Sequence, residues 1–129
     1  MSYSIGYCRA QINSCQRTLK ILKEDLLKIR NIIDTINESG TSYKEAVADL
    51  EVAKDILSSG FRGNTARSHE KSIGRIMDLC KEDNARLNLI KVDAAEKQAT
   101  ISKKISNTQA DIAYWERQLI IAETEAAHE

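Results

Sequence analysis

The chain has 129 residues, no proline, five glycines, and 19 basic against 19 acidic side chains. That length fits one domain, and the charge balance excludes a general nucleic-acid binder, which needs a basic excess to displace counterions from phosphate. With 29% charged residues and only 5% aromatics, the composition is that of a long helix or coiled coil, and it gives no pull toward an acidic substrate or an anionic membrane.

The first arm, residues 3–60, opens with an unbroken apolar seam. Ile5, Cys8, Ile12, Cys15, Leu19, Leu22, Leu26, Ile29, Ile33 and Ile36 recur at spacings of three and four, the pattern by which helices pack knobs into holes. Asn37-Glu38-Ser39-Gly40 then predicts a helix stop, with Gly40 in a left-handed C-terminal position. Ser42-Tyr43-Lys44-Glu45 predicts a restart through a capping box. A shorter helix follows, buried through Tyr43, Val47, Leu50 and Leu57.

Gly60-Phe61-Arg62-Gly63 breaks the periodicity close to the midpoint, and two glycines within four residues allow a tight turn. Asn64 is a suitable cap for the second arm, 64–122. Its seam runs Ile73, Met77, Cys80, Leu87, Ile90, Ala94, Ile101, Ile105, Thr108, Ile112, Trp115, Leu119 and Ala122, weakest at Lys81-Glu82-Asp83-Asn84. Residues 123–129 lose the pattern and are expected to fray. Folding the arms about Arg62 brings Ile12 near Ile112, Leu22 near Ile101 and Ile36 near Leu87, apolar against apolar, with Gly40 opposite Asn84. The expected fold is therefore all-α: a single domain, 1–129, built as an elongated, coiled-coil-like antiparallel hairpin with a break near Gly40 and the turn at Phe61, Arg62 and Gly63.

Little here suggests catalysis, a cofactor or a metal. His69 and His128 stand far apart in sequence, and the paired-histidine zinc signature is missing. Cys8, Cys15 and Cys80 lie on the seam, where a small apolar side chain is expected, with no histidine partner to activate a thiolate. Cys8 and Cys15 are about 10 Å apart along one helix, too far for a disulfide. No apolar run reaches the roughly 18 residues of a membrane span, and the N-terminal residues lack a basic segment followed by an apolar stretch. These features point to a cytoplasmic, non-enzymatic protein.

Apolar residues outside the seam give the strongest hint of function. Ile21, Leu27, Ile32, Leu89, Val92 and Ile120 have no place in a two-helix interface. Burying each is worth roughly 1.5–3 kcal/mol, so they are candidate partner-binding residues. The alternative is a compact three-helix bundle, folded at Gly40, that buries them itself. Arg67, Lys71 and Arg75 form a basic stripe beside the turn, either a solvated face or a docking stripe for an acidic partner.

The central Gly60-Phe61-Arg62-Gly63-Asn64-Thr65-Ala66 segment between matched arms resembles the Trp-x-Gly superfamily of helical hairpins of type VII secretion. In length, and in its interrupted first arm, the chain is similar to the YwqH-like family, encoded beside LXG-domain toxins. Phe61 stands where that superfamily has tryptophan, and the C-terminal Tyr-x-x-x-Asp/Glu export tag is missing, since Gln118 follows Tyr114 by four residues. The resemblance implies a targeting partner that binds the N-terminal helices of an LXG-type effector, with a second small helical partner as a further component. It implies export only together with that partner, by a route that reads no signal peptide. The alternative is a self-associating coiled-coil protein with no secretion role, which alone would form a stable dimer or tetramer, whereas the targeting partner is expected to self-associate only weakly and to shift to a tight heteromeric complex.

Overall fold

The computed structural model describes residues 2–60 and 63–128. Phe61 and Arg62, the first two residues of the expected turn motif, lie outside the described residues. Two helices account for nearly all of the rest: α1, Ile5–Gly60, and α2, Asn64–Ala127. They run antiparallel. Ser4 caps α1, its Oγ accepting from the Tyr7 amide at 3.1 Å while its carbonyl accepts from Cys8 at 3.0 Å. Gly63 adopts φ 106°, a left-handed conformation suited to glycine, and its carbonyl accepts from the Arg67 amide to start α2.

The break expected near Gly40 does not occur, and α1 is continuous through it. The apolar repeat explains why. Counted in sevens, Ile5, Ile12, Leu19, Leu26, Ile33, Gly40 and Val47 occupy heptad position a, and Cys8 through Ile36, Tyr43, Leu50 and Leu57 occupy position d. Gly40 is thus a seam residue in phase with both flanking stretches, so one helix buries all of them. Two hydroxyls just after it are satisfied inside the helix. Thr41 Oγ1 donates to the Asn37 carbonyl at 3.1 Å, and Ser42 Oγ donates to that of Glu38 at 3.2 Å instead of capping a new helix.

The stretch Lys81–Asn84 is likewise helical. In α2, positions a and d fall on two seven-residue series, 70–119 and 66–122. That register places Asn84, Lys91 and Gln98 in the seam. Lys91 is half-buried whereas Ile90, expected in the seam, is 52% exposed. The helix also runs on to Ala127 where residues 123–129 were expected to fray. Arg9 pairs with Glu123 at 3.5 Å, and the Ser2 hydroxyl hydrogen-bonds Glu125.

The chain divides into two compact units: Met1–Arg30 with Glu96–Glu129, and Asn31–Ala95. In the first, Cys8 is fully buried, and Tyr3, Tyr7 and Tyr114 surround Trp115 with ring centroids 4.9, 5.5 and 5.0 Å away. Tyr3 also stacks on Tyr7 at 5.5 Å. Such aromatic pairs add about 0.5–1.5 kcal/mol each beyond their area. In the second unit the core is Ile36, Ala66, Met77 and Ala94. There a Cβ added to Gly40 would stand 3.3 Å from Asn84 Oδ1, so glycine lets the two seams approach at the expected pairing.

Gly74 differs. A Cβ there would meet nothing within 4 Å, so no close approach requires glycine at this position. Gly74→Ala is expected to stabilise the protein by about 1 kcal/mol through helix propensity alone. Gly40→Ala should gain less, because Asn84 must give way. Thermal denaturation of the two variants side by side checks the difference; equal gains would contradict the close approach.

Candidate partner-binding surface

The register of the two seams decides what each side of the hairpin presents. With antiparallel helices, position g of α1 borders position g of α2 along one edge, and position e borders e along the other. The Arg9–Glu123 pair links two e positions, as this geometry requires. Positions c and b lie outside g and e respectively, and f points away from the partner helix.

The second unit is two-sided in its large aliphatic residues, although Asp49, Asp83, Arg86 and Asp93 also stand on the g side. On its g side stand Ile32, Ile56, Ile76, Leu79 and Ile90, all between 48% and 58% exposed. Between them α1 contributes Ser39, Ala46 and Ala53 at position g, each half-buried and small. A shallow groove bordered by Ser39, Ser42, Tyr43, Ala46 and Cys80 opens on this side. The e side instead carries Lys44, Glu51, Arg67, Lys71, Asp78 and Lys81, with Val92 its exposed large apolar residue. An aliphatic stripe with small residues along its middle suits close approach by another helix, while the charged side suits water.

The first unit repeats the preference more weakly. Tyr7, Ile21, Tyr114 and Ile121 are exposed at position c, on the g side, whereas Leu27 and Ile120 are exposed at position b. A hydrogen-bonding interaction with the Tyr3 hydroxyl, reinforced by burial, raises the Tyr114 phenol above its ordinary pKa. The phenol therefore stays neutral through the physiological range and its ring remains available for apolar contact.

Six partner-binding candidates follow from the sequence, and all six are exposed. They do not share a side. Ile21 and Ile32 are on the g side, Leu27, Val92 and Ile120 on the e side, and Leu89 at the outward position f. Ile56, Ile76, Leu79 and Ile90 were missed, although a strict count in sevens from Met77 puts Lys91 in the seam and frees Ile90. The basic stripe Arg67, Lys71 and Arg75 is exposed and lies at positions e, b and f, away from the aliphatic side. Within it, the Arg67 guanidinium donates to Asn64 Oδ1 at 3.4 Å.

Among the described residues no group of three or more His, Cys, Asp or Glu side chains is placed to hold a metal ion, and the three cysteines are free. No helix among the described residues is long and apolar enough to cross a membrane. No protein-family model, curated protein or solved structure matches this chain.

The accessible surface sets the scale of what is uncovered. The chain exposes 9421 Å², whereas a 14.5-kDa monomer that closes its own core exposes about 6,900 Å². The excess of about 2,500 Å² exceeds the roughly 800 Å² per partner of an ordinary stable interface.

Proposed function

We propose that this chain is a non-catalytic helical partner protein that receives amphipathic helices of a larger protein along the g side of its hairpin. The observation behind this reading is the segregation of Ile32, Ile56, Ile76, Leu79 and Ile90 onto one side of the second unit, opposite a charged side. A helix laid there completes a bundle and removes aliphatic surface worth about 25 cal/mol per Å². The helices best suited to it are those at the N-terminus of an LXG-type effector, which this protein would shield and escort to a type VII secretion machine, as the Gly60–Ala66 segment between matched arms suggests. Release of the pair by a signal-peptide-independent route follows from the same reading.

Titration calorimetry with the N-terminal helical segment of an LXG-type effector tests the proposal. The wild type is expected to bind, and Ile32→Asp/Ile90→Asp to weaken binding about a hundredfold while circular dichroism stays unchanged. Leu27→Asp/Val92→Asp, on the charged side, is expected to bind as the wild type does. Equal losses from both double variants, or none from either, would overturn the assignment of the side. No binding by the wild type would overturn the effector class.

A further inference from the structure

We infer that, when no other protein covers it, the aliphatic side of the second unit closes on a second copy of this chain about a local two-fold axis passing between Asp83 and Arg86. The inference shares its surface with the proposed function but is tested without an effector. Along the g side of α2, positions g and c alternate as Ile76, Leu79, Asp83, Arg86, Ile90 and Asp93. This stripe is spaced symmetrically about its own midpoint. Laid antiparallel on a copy of itself, Leu79 meets Ile90, Asp83 meets Arg86, and only the outermost pair, Ile76 with Asp93, is unmatched. A two-fold interface requires this self-complementarity, because each contact occurs twice.

The central charges are free to change partners. Arg86 Nη1 and Asp83 Oδ1 of one chain are 3.6 Å apart, with their side chains 75% and 49% exposed, and such an i,i+3 pair in water contributes little. Across the axis the same two side chains form two intermolecular pairs flanked by Leu79 and Ile90, where less water screens them. The approach of Gly40 to Asn84 puts α1 level with the axis at Ser39, where its g-side residues Thr35, Ser42 and Ala46 are small and leave room for the facing copy. Self-association and effector binding then compete for one side, and the free protein is held in a form that hides its aliphatic stripe until an effector helix displaces the second copy.

Charge reversal with mixing separates contacts across the axis from contacts within a helix. Sedimentation equilibrium is expected to show a wild-type dimer, and Asp83→Arg or Arg86→Asp alone to weaken it about tenfold or more, since each homodimer then opposes like charges. An equimolar mixture of the two variants is expected to recover the wild-type dimer, because each copy supplies the charge the other lacks. Circular dichroism confirms that both variants remain helical. A wild type that is monomeric at every accessible concentration, single variants that dimerise as well as the wild type, or a mixture that gains nothing each overturn the inference. A monomer that still binds the effector segment through Ile90 removes the dimer and leaves the proposed function; a dimer that binds no effector segment does the reverse.

Discussion

Replacing Ile36 by aspartate is expected to unfold the second unit, whereas the same change at Ile32, one turn earlier, leaves it helical. Ile36 is 7% exposed at seam position d and Ile32 is 48% exposed at position g. An aspartate at 36 would place a carboxylate in the closed seam near Leu87, costing about 3 kcal/mol or more even with the half-buried Lys91 in the same seam. Whole domains are stable by only about 5–15 kcal/mol, and this core is made largely of alanine and single seam side chains. Far-ultraviolet circular dichroism and urea denaturation read the two variants directly. Similar stability losses at 32 and 36 would mean that the outer residue is as enclosed as the seam residue, and the helix-binding side would lose its basis.

Trp115→Ala is the second large effect, and it is confined to the first unit. The indole is half-buried at position d and meets Tyr3, Tyr7 and Tyr114 edge-on within 5.5 Å. Its removal strips the central ring from an aromatic cluster that clamps the start of α1 to α2, at an expected cost of about 3 kcal/mol. Amide hydrogen exchange should speed up across 5–15 and 108–122 and change far less near 77. Trp115→Phe, which keeps a ring in place, should recover most of the loss. Uniform acceleration along the whole chain would show that the two units open together and not separately.

The seam of α1 is readable from spacing alone because one apolar residue occurs at nearly every a and d position from Ile5 to Ile36. All of these are buried or half-buried in the structure. At Gly40 the local signals misled. Asn37, Ser39, Gly40 and Ser42 are residues of helix ends, and propensity judged over six residues predicts a break. The tertiary term is larger, since a break would shift Tyr43, Val47, Leu50 and Leu57 off the seam, while a continuous helix costs one glycine, about 1 kcal/mol. Ile90 was obscured in a similar way, since chemistry favoured isoleucine for the seam and the seven-residue register required Lys91.

The aliphatic side was only half legible. That the chain holds surplus aliphatic residues is plain from the sequence, and exposure of Ile21, Leu27, Ile32, Leu89, Val92 and Ile120 agrees. Which of them act together depends on the register of both helices and on their antiparallel pairing, so a one-residue error at position 90 sorts them onto the wrong sides. The aromatic cluster is invisible to spacing for a different reason: Tyr3 precedes the helix, and its contact with Trp115 spans almost the full sequence.

Ile90 and Val92 are two residues apart on α2 yet belong to opposite sides of the hairpin, so they offer a direct measurement. Nitroxide labels attached singly at cysteines at 90 and 92, in an Asp83→Arg background that weakens self-association and with the native cysteines replaced, report side-chain mobility before and after the effector segment is added. Immobilisation at 90 with 92 left mobile is the expected result. Immobilisation at 92 with 90 unaffected would contradict the assignment of the aliphatic side as the surface that receives a partner helix.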